Sequence, residues 1–325
     1  MEGRDKRTRL RAALVAAEPL VVVGAHDAMS ASLIERAGFH AVWVSGFGVS
    51  TMTHAVPDMN LITMTEALAA SVRIDDATTL PVIADCDNGF GGLLNVVRTV
   101  REYERAGISA ICIEDNLFPK RNSLFAGETL RELIPIAEQA RRLREAKRAQ
   151  ETDDFVLIAR VEALIAGHGI EAACQRADAY AEAGADAILI HSRDKSLAQI
   201  RGFLDAWKEY GRSVPLVAVP TLFPDFTAEE LHLLGFQVVI WANQLMRASV
   251  QAMENTLEIL RAARKVAAAD GSIATVPHLF DLVETKQAIA LEEGTGEETR
   301  ADDRTPVANQ EPAGSPESRR IAGSG

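Results

Sequence analysis

The residues best suited to chemistry are acidic and stand at the ends of apolar runs. Asp85 and Asp87 form a DxD pair after one run, and Glu114 ends the next. Several carboxylates without Cys or clustered His ligands favour a hard cation such as Mg²⁺ or Mn²⁺. Asp27 and Asp58 are possible further members of this group. A single Asp would as readily cap a helix or pair with Lys or Arg, so the metal prediction rests on the whole group.

Two further polar residues, Arg160 and His191, end neighbouring apolar runs. An arginine can grip a carboxylate or phosphonate with two parallel hydrogen bonds, and the histidine can complete such a clamp. A histidine at this position can also be a satisfied core residue. We favour the substrate-binding interpretation.

The segment EDNLFPKRNSLFAGE (114–128) is long, polar and interrupted by Pro119. Its Lys120, Arg121, Asn122 and Ser123 offer donors to an anionic substrate, so the segment could act as a lid. An ordinary solvated loop with charged tips is the alternative interpretation.

A recurring pattern predicts the elements that position these residues. The pattern is a helical stretch, a terminating glycine and, two residues later, a continuous Val/Ile-rich run; it occurs in ERAGFHAVWVSG (35–46), ERAGISAICIED (104–115), AEAGADAILIHS (181–192) and LHLLGFQVVIWAN (231–243). Continuous apolar runs are typical of parallel strands covered on both sides. With the runs at 20–27, 80–87, 155–163 and 215–221 there are eight βα units. They predict an α/β fold, a (β/α)₈ TIM-type barrel, with an open doubly wound sheet as the alternative.

In such a barrel the active site lies at the carboxyl ends of the strands. Here nearly every predicted strand ends in a residue capable of binding or catalysis: His26, Ser45, Asp85, Glu114, Arg160, His191, Thr221 and Asn243. A purely structural protein has no reason to repeat that arrangement. The sequence therefore predicts an enzyme.

Composition limits the class of protein and its partners. The 34 basic and 46 acidic residues give a net charge of −12, which argues against nucleic acid or an anionic membrane as partner. Three cysteines without a ligand pattern, and no apolar stretch of membrane-spanning length, indicate a cytoplasmic protein. We predict a catalytic barrel over residues 1–292, with 277–291 as its last packed helix, and a disordered acidic Pro/Gly/Ser-rich tail over 293–325.

The strand-end motifs, taken together and in order, resemble the isocitrate lyase/phosphoenolpyruvate mutase superfamily. They are VGAHDAMSA, VWVSGFGVS, VPDMN, DCDNGFGG, EDNLFPKRNSL, IARVEALIAGHG, AGADAILIHS, VPT and IWANQLMRASV. The likeness runs from about residue 20 to residue 285 and is greatest to the mutase branch. It implies a barrel whose last helix is swapped between paired subunits, in a homodimer or homotetramer.

The resemblance also implies roles for individual residues. Metal positions are Asp85, bound directly, and Asp87 and Glu114, bound largely through water, with Mg²⁺ as the cofactor. Positions for the substrate's carboxylate end are Trp43, Ser45 and Gly46; positions near the transferred group are Asp58, Arg160 and His191. Positions on a gating loop that closes over the ligand are Lys120, Asn122, Ser123 and Leu124.

The gating loop also guides the choice of activity. Asn122-Ser123 resembles mutases, which interconvert phosphoenolpyruvate and phosphonopyruvate in phosphonate biosynthesis, whereas related phosphonopyruvate hydrolases tend to carry threonine at position 122. Lyases of the superfamily carry a cysteine in this loop, and this chain has none between Cys112 and Cys174. We therefore expect a mutase coupled to a phosphonopyruvate-consuming enzyme. A hydrolase and a non-catalytic keto-acid-binding barrel are the alternatives. Asn116 and Gln244 depart from the family pattern, and we expect neither to contact the substrate.

Overall fold

A computed structural model describes residues 2–125 and 131–294, and within them eight parallel strands close into a barrel in the order of the chain. The strands are β1 (Leu20–Ala25), β2 (Ala41–Val44), β3 (Val82–Asp85), β4 (Ala110–Glu114), β5 (Val156–Val161), β6 (Ala187–Ile190), β7 (Leu216–Ala218) and β8 (Phe236–Trp241). Strand β8 pairs with β1, with Leu20 opposite Val238, which closes the ring. The predicted (β/α)₈ barrel is confirmed, and the open doubly wound sheet is excluded.

Helices surround the barrel and alternate with its strands. They are α1 (Glu2–Ala13), α2 (Ala28–Arg36), α3 (Gly46–His54), α4 (Met64–Asp76), α5 (Leu93–Arg105), α6 (Ile136–Ala149), α7 (Gly169–Glu182), α8 (Ala198–Glu209), α9 (Ala228–Leu234), α10 (Gln244–Ala263), α11 (Val276–Leu282) and α12 (Thr285–Glu292). The terminating glycines of the sequence pattern adopt left-handed backbone angles, as at Gly107 (φ 94°) and Gly184 (φ 98°). A residue with a Cβ adopts such angles only with strain, so glycine ends these helices efficiently.

Apolar side chains of the described residues form two clusters, one on each face of the barrel wall. The inner cluster fills the barrel and includes Val22, Ile83 and Ile158. The outer cluster lies between the strands and the surrounding helices. Since successive side chains of a strand point to opposite faces, each strand supplies both clusters, which explains why the runs are apolar throughout.

Helix α1 closes the amino-terminal end of the barrel, a role that the sequence pattern did not predict. Leu10 and Leu14 join the inner cluster and are almost completely buried. Arg7 donates from Nε to the carbonyl oxygen of Ile108 at 3.0 Å, and Lys6 pairs with Asp75 Oδ1 at 3.0 Å. The active-site end of the barrel is thus the end opposite α1.

Three expectations need revision or fall outside the described residues. The helix predicted over 277–291 is two helices, α11 and α12, because Glu284 between them takes a left-handed conformation (φ 54°). Strand β7 ends at Ala218, earlier than predicted, since Pro220 has no N–H for sheet pairing and begins a short 3₁₀ turn. The predicted disordered tail falls almost entirely on residues 295–325, which lie outside the described residues. The described helices include none that is long and apolar enough to cross a membrane.

We expect Leu10→Ala to destabilise the fold, because it empties the position at which α1 seals the barrel. Removing a buried leucine side chain costs about 2–5 kcal/mol, measured as the change in the free energy of unfolding by chemical denaturation. Val15→Ala is the matched control, since Val15 follows α1 and is 81% exposed. A loss for Leu10→Ala no greater than for the control would contradict the sealing role of α1.

Candidate active site

The carboxyl ends of the strands enclose one cavity, which collects most of the residues singled out from the sequence. Eleven of them line it: Trp43, Ser45, Asp58, Asp85, Glu114, Lys120, Asn122, Ser123, Leu124, Arg160 and His191. The space left inside is about 60 Å³, because the segment after β4 lies across the opening. We call residues 117–125 the gate. The other two predicted residues, Gly46 and Asp87, line a second small cavity that shares Asp85 with the first.

Strand β2 leads into the site through Ser45 and Gly46. Ser45 caps helix α3 by accepting a hydrogen bond from the N–H of Gly48 at 3.0 Å. A Cβ at Gly46 would lie 3.2 Å from Asp85 Oδ2 and 3.5 Å from Asp87 Oδ1. Glycine therefore lets the Asp85 carboxylate lie close to the start of α3, where a Cβ would press on it and only touch Asp87.

The DxD pair lies on a tight loop after β3. Asp87 has a left-handed backbone (φ 50°), and its carbonyl oxygen accepts from the N–H of Glu114 at 2.8 Å. This bond fixes the DxD loop to the end of β4. Cys86 between the two aspartates is fully buried, and burial raises the pKa of its thiol well above the usual value, so it is a core residue and not a nucleophile.

Lys120 on the gate is the main counter-charge of the acidic group. Its Nζ pairs with Asp58 Oδ1 at 2.9 Å and also with Asp87 Oδ1. Burial favours the uncharged amine, but the surrounding carboxylates, Asp87 and Asp58 foremost, outweigh it and hold the pKa of Lys120 well above its usual value. Burial raises the pKa of Asp87 to about 6, although Lys120 opposes the shift. The closed gate thus delivers a positive charge to the carboxylates.

Glu114 is the most perturbed carboxyl group of the site. Burial raises its pKa to about 8, against the opposing charges of Arg160 and Lys120. Arg160 Nε is 3.4 Å from Glu114 Oε2, and Asn116 donates from Nδ2 to Oε1 at 3.0 Å. Asn116, a departure from the family pattern, therefore touches a predicted metal-site carboxylate, although it does not line the cavity. Gln244, the other departure, accepts from the N–H of Asn243 at the start of α10.

Arg160 is held by a network beside the cavity. It donates from Nε to Glu162 Oε1 and from Nη2 to Ser123 Oγ, both at 2.6 Å. Ser123 in turn donates its hydroxyl to Glu162 Oε2 at 2.7 Å. Burial would raise the pKa of Glu162, but the positive charge of Arg160 outweighs it and lowers the pKa, so Glu162 is a carboxylate. A gate residue thereby joins the network that orients the arginine.

His191 is oriented by the same arginine. Its Nδ1 lies 3.1 Å from Arg160 Nη2. A guanidinium can only donate, so Nδ1 is the acceptor, and we assign the ring proton to Nε2. Burial lowers the pKa of His191, which favours this neutral form. Nε2 is buried and has no hydrogen-bond partner among the described residues, so it is available to donate to a substrate oxygen.

The gate closes on Asp58 through Asn122. Asn122 donates from Nδ2 to Asp58 Oδ2 at 2.8 Å, and its Oδ1 accepts from the N–H of Leu124 at 2.9 Å. Together with Lys120 on Oδ1, this leaves each oxygen of Asp58 with a gate partner. The sequence-predicted lid is therefore in contact with the site.

The sequence predictions differ from the structure at Asp27, Asn60 and Glu162. Asp27 does not join the acidic group; it caps helix α2, accepting from the N–H of Ser30 at 2.7 Å, because the helix needs an acceptor there. Sequence reasoning missed Asn60, which contacts both Asp87 and the gate. It also assigned no role to Glu162. The signal available in the sequence was an asparagine two residues after Asp58, because asparagine tolerates a left-handed backbone.

The acidic residues match a hydrated hard cation better than an enclosed one. Within residues 2–125 and 131–294, no three acidic, histidine or cysteine side chains converge closely enough to hold a metal ion between them. The donors are all carboxylate oxygens, which hard cations prefer, and Mg²⁺ commonly retains several waters beside one or two carboxylates. Asp85 lines the cavity and makes no ion pair with the lysines and arginines of the described chain.

The chain is similar to known proteins over most of its length. Residues 10–261 match the family model described as phosphoenolpyruvate phosphomutase. A phosphonopyruvate hydrolase from Variovorax sp. (strain Pal2) is 40% identical over 288 residues, covering 88% of this chain and 98% of the relative.

Two solved structures show the same likeness. A phosphoenolpyruvate phosphomutase from Streptomyces platensis subsp. rosaceus is 40% identical, with a TM-score of 0.85 over 89% of this chain and 98% of the other. A phosphonopyruvate hydrolase in complex with oxalate and Mg²⁺ is 39% identical, with a TM-score of 0.82 over 89% and 98% of the two chains. The chain therefore belongs to the phosphoenolpyruvate mutase family of (β/α)₈-barrel enzymes.

A buried ionic network behind the site yields a prediction about stability. Asp115 Oδ2 accepts from Arg176 Nη1 at 3.0 Å and from the Tyr180 hydroxyl at 2.8 Å, while Oδ1 accepts from the N–H of Glu162 at 2.9 Å. Arg176→Met leaves Asp115 buried without its cation, so we expect a loss of about 3–5 kcal/mol in the free energy of unfolding near neutral pH.

The pH dependence of this loss follows from Asp115. Burial already raises its pKa, and removing Arg176 removes the main opposing charge. A raised carboxyl pKa penalises the folded state above the pKa of the unfolded chain, so the loss should shrink as the pH falls and Asp115 protonates. Tyr180→Phe, which removes one hydrogen bond, is the control at about 1 kcal/mol. Equal losses for the two variants, measured by urea unfolding, would contradict the network's role.

Proposed function

We propose that this chain is a phosphoenolpyruvate phosphomutase, an isomerase that interconverts phosphoenolpyruvate and phosphonopyruvate. The observation that carries the proposal is the state of Asp58 beneath the closed gate. Its Oδ1 pairs with Lys120 at 2.9 Å and its Oδ2 accepts from Asn122 at 2.8 Å. Asn122 is the residue type that the resemblance to the mutase branch implies at this position.

This arrangement favours transfer to carbon over transfer to water. Hydrolysis needs a water beside the phosphorus and a base to accept its proton. A carboxylate whose two oxygens are already engaged is a poor base in the closed state. The gate residues Lys120 and Asn122 line the cavity, so a closed gate would help to exclude a nucleophilic water.

The substrate's two ends would be held by different parts of the site. Trp43 and Ser45, which line the cavity, and the adjacent Gly46 would receive the carboxylate end. Arg160, Asn122 and the Nε2 proton of His191 supply donors for the phosphoryl oxygens. Fixed donors stabilise a phosphoryl group that is loosely bonded to both its partners.

The reaction would proceed by breaking one bond and forming another on the same phosphorus. Cleavage of the P–O bond leaves the electron pair on oxygen and gives the pyruvate enolate; attack by C3 then forms the P–C bond of phosphonopyruvate. Asp58 lies beside the path of the phosphoryl group, as a temporary acceptor or as an orienting group. The gate must remain closed throughout, since water would divert the phosphoryl group to phosphate.

The cofactor we propose is Mg²⁺, with Asp85 as the direct ligand and Asp87 and Glu114 around it through water. When bound, the ion would stabilise the negative charge of the enolate oxygen. Burial is the main cause of the raised pKa values of Asp87 and Glu114, and neighbouring carboxylates, Asp85 among them, raise both further. That group of carboxylates is the electrostatic feature that favours a divalent cation.

Phosphonopyruvate hydrolase is the second candidate, supported by the 40% identity to the Variovorax enzyme. It would use the same fold and the same substrate-holding residues. The two activities differ in the acceptor of the phosphoryl group, C3 or water. Position 122, asparagine here, is the residue of the gate on which we base the choice.

We further propose that a second copy of the chain covers the C-terminal helices. Met246 is the buried residue of α10, while Met253 and Leu257 on that helix are half or more exposed. Val276 and Phe280 of α11 are exposed as well. Apolar surface of this extent favours association through these helices, in a dimer or tetramer with swapped helices.

A phosphonopyruvate-consuming enzyme would complete the pathway, because the C–P isomer is the less stable one.

We expect ³¹P NMR to identify the reaction. With phosphonopyruvate and MgCl₂, a mutase converts the phosphonate signal to that of phosphoenolpyruvate. Release of inorganic phosphate with pyruvate would instead establish the hydrolase and refute the argument from Asn122. Asp58→Ala serves as the inactive control, since it removes the carboxylate beside the phosphoryl group.

We expect Mg²⁺ to raise the thermal unfolding temperature, because a ligand that binds only the folded state stabilises it. Asp85→Asn should lose most of this increase, since it removes the direct ligand's charge. Asp153→Asn is the matched control, as Asp153 is exposed and outside the site. An undiminished Mg²⁺ effect in Asp85→Asn, measured by differential scanning calorimetry, would refute the proposed ligand.

A further inference from the structure

We propose that Asn60 is a positioning residue that couples closure of the gate to the acidic group. Its side chain lies between Asp87 and the gate, in contact with both. This proposal rests on the proposed gating function but is independent of the choice between mutase and hydrolase. It assigns a role to a residue that does not line the cavity.

The side-chain amide of Asn60 joins the acidic loop to the gate through one donated and one accepted hydrogen bond. Its Nδ2 donates to Asp87 Oδ2 at 2.9 Å, and its Oδ1 accepts from the backbone N–H of Lys120 at 2.6 Å. One amide group therefore uses its donor on the acidic loop and its acceptor on the gate. The same Nδ2 is 3.5 Å from Asn88 Oδ1, and Asn88 Nδ2 is 3.4 Å from Asn60 Oδ1, so a neighbouring amide supports the orientation.

The bridge acts on the backbone of Lys120 and leaves its ammonium group free to act elsewhere. With the backbone fixed by Asn60, Nζ reaches Asp58 and Asp87. Asp87 is thereby contacted from both directions, by the ammonium on Oδ1 and by the Asn60 amide on Oδ2. Asn60 thus sets the position from which the gate's positive charge enters the site.

Asparagine suits position 60 both in the backbone conformation required there and in its hydrogen bonds. Asn60 has a left-handed backbone (φ 57°), a conformation that asparagine tolerates better than other residues with a Cβ apart from aspartate. Aspartate would keep the acceptor for Lys120 but lose the donor, and it would place a second negative charge against Asp87. Glycine would accept the backbone angle but remove the side chain. These two substitutions separate the conformation of the residue from its hydrogen bonds.

A second contact anchors the far end of the gate. Ser123 is held by Glu162 and Arg160 at 2.7 and 2.6 Å. Loss of Asn60 should therefore loosen the gate around Lys120 without detaching Ser123. The expected effect is partial and local, which distinguishes it from unfolding of the barrel.

Hydrogen–deuterium exchange on the full chain tests the coupling without relying on turnover. Exchange is measured for the protein with oxalate and MgCl₂ and for the protein alone. For Asn60→Gly we expect exchange in the peptides covering 117–125 to be about tenfold faster than in the wild type, since the charge-assisted and the neutral hydrogen bond are both lost. Peptides from the barrel strands should exchange as in the wild type. Asn60→Asp should exchange within about twofold of the wild type in the gate, because the acceptor for Lys120 remains.

Kinetics on the substrate that proves to be turned over supply a second readout. Asn60→Gly should lower kcat/KM by about 10- to 100-fold, and Asn60→Asp should lower kcat while KM changes less. Asn255→Asp, the same chemical change on the exposed face of α10, should leave both constants and the exchange pattern unchanged. Wild-type exchange in the gate of Asn60→Gly, or faster exchange spread over the whole barrel, would overturn the proposal. Failure to find mutase activity would not, since gate exchange is measured separately.

Discussion

The structure depends on the burial of several carboxylates at one end of the barrel with few cations to balance them. Water is largely excluded there, so each negative charge raises the cost of ionising the next. Burial is the main cause of the raised pKa of Glu114, about 8, and the charges of Glu162 and Asp85 add to it. Lys120 and Arg160 offset part of it, and each brings its charge from a different element: the first from the gate, the second from β5. Charge balance therefore depends on whether the gate is closed.

The barrel makes this concentration of charge possible. Its other end is sealed by α1 and its interior is apolar, so stability comes from parts of the molecule that do not participate in the chemistry. The acidic residues stand where the strands end and the backbone is free to turn. Asp87 takes a left-handed conformation there, and Gly46 leaves the space that its carboxylate and that of Asp85 occupy. Local strain and electrostatic repulsion are thus confined to one rim of a rigid scaffold.

The sequence predicted the fold and most residues of the site, but not the hydrogen bonds between those residues. Apolar runs with terminating glycines predicted the barrel, because parallel strands and helix ends have strong local signatures. Strand ends predicted Ser45, Asp85, Glu114, Arg160 and His191, since a barrel brings them together, whereas Trp43 and Leu124 entered only through the family resemblance. The partners of Glu162 could not be predicted, because contacts between Ser123 on the gate and Arg160 on β5 depend on how the gate folds back. Asn60 was missed for the same reason: its two partners are distant in sequence.

On our proposal, the choice between isomerisation and hydrolysis depends on what the gate does to Asp58. An asparagine at position 122 donates through its amide to one carboxylate oxygen and accepts from the Leu124 N–H with its own oxygen. A threonine has a shorter side chain and a single hydroxyl, so it could not make both contacts from the same backbone position. A threonine would leave more space beside Asp58 and would free an Asp58 oxygen to accept a proton. A water nucleophile needs both. The barrel and the proposed cation site and phosphoryl clamp are therefore compatible with either outcome, and on our proposal the side chain that closes over Asp58 decides between them.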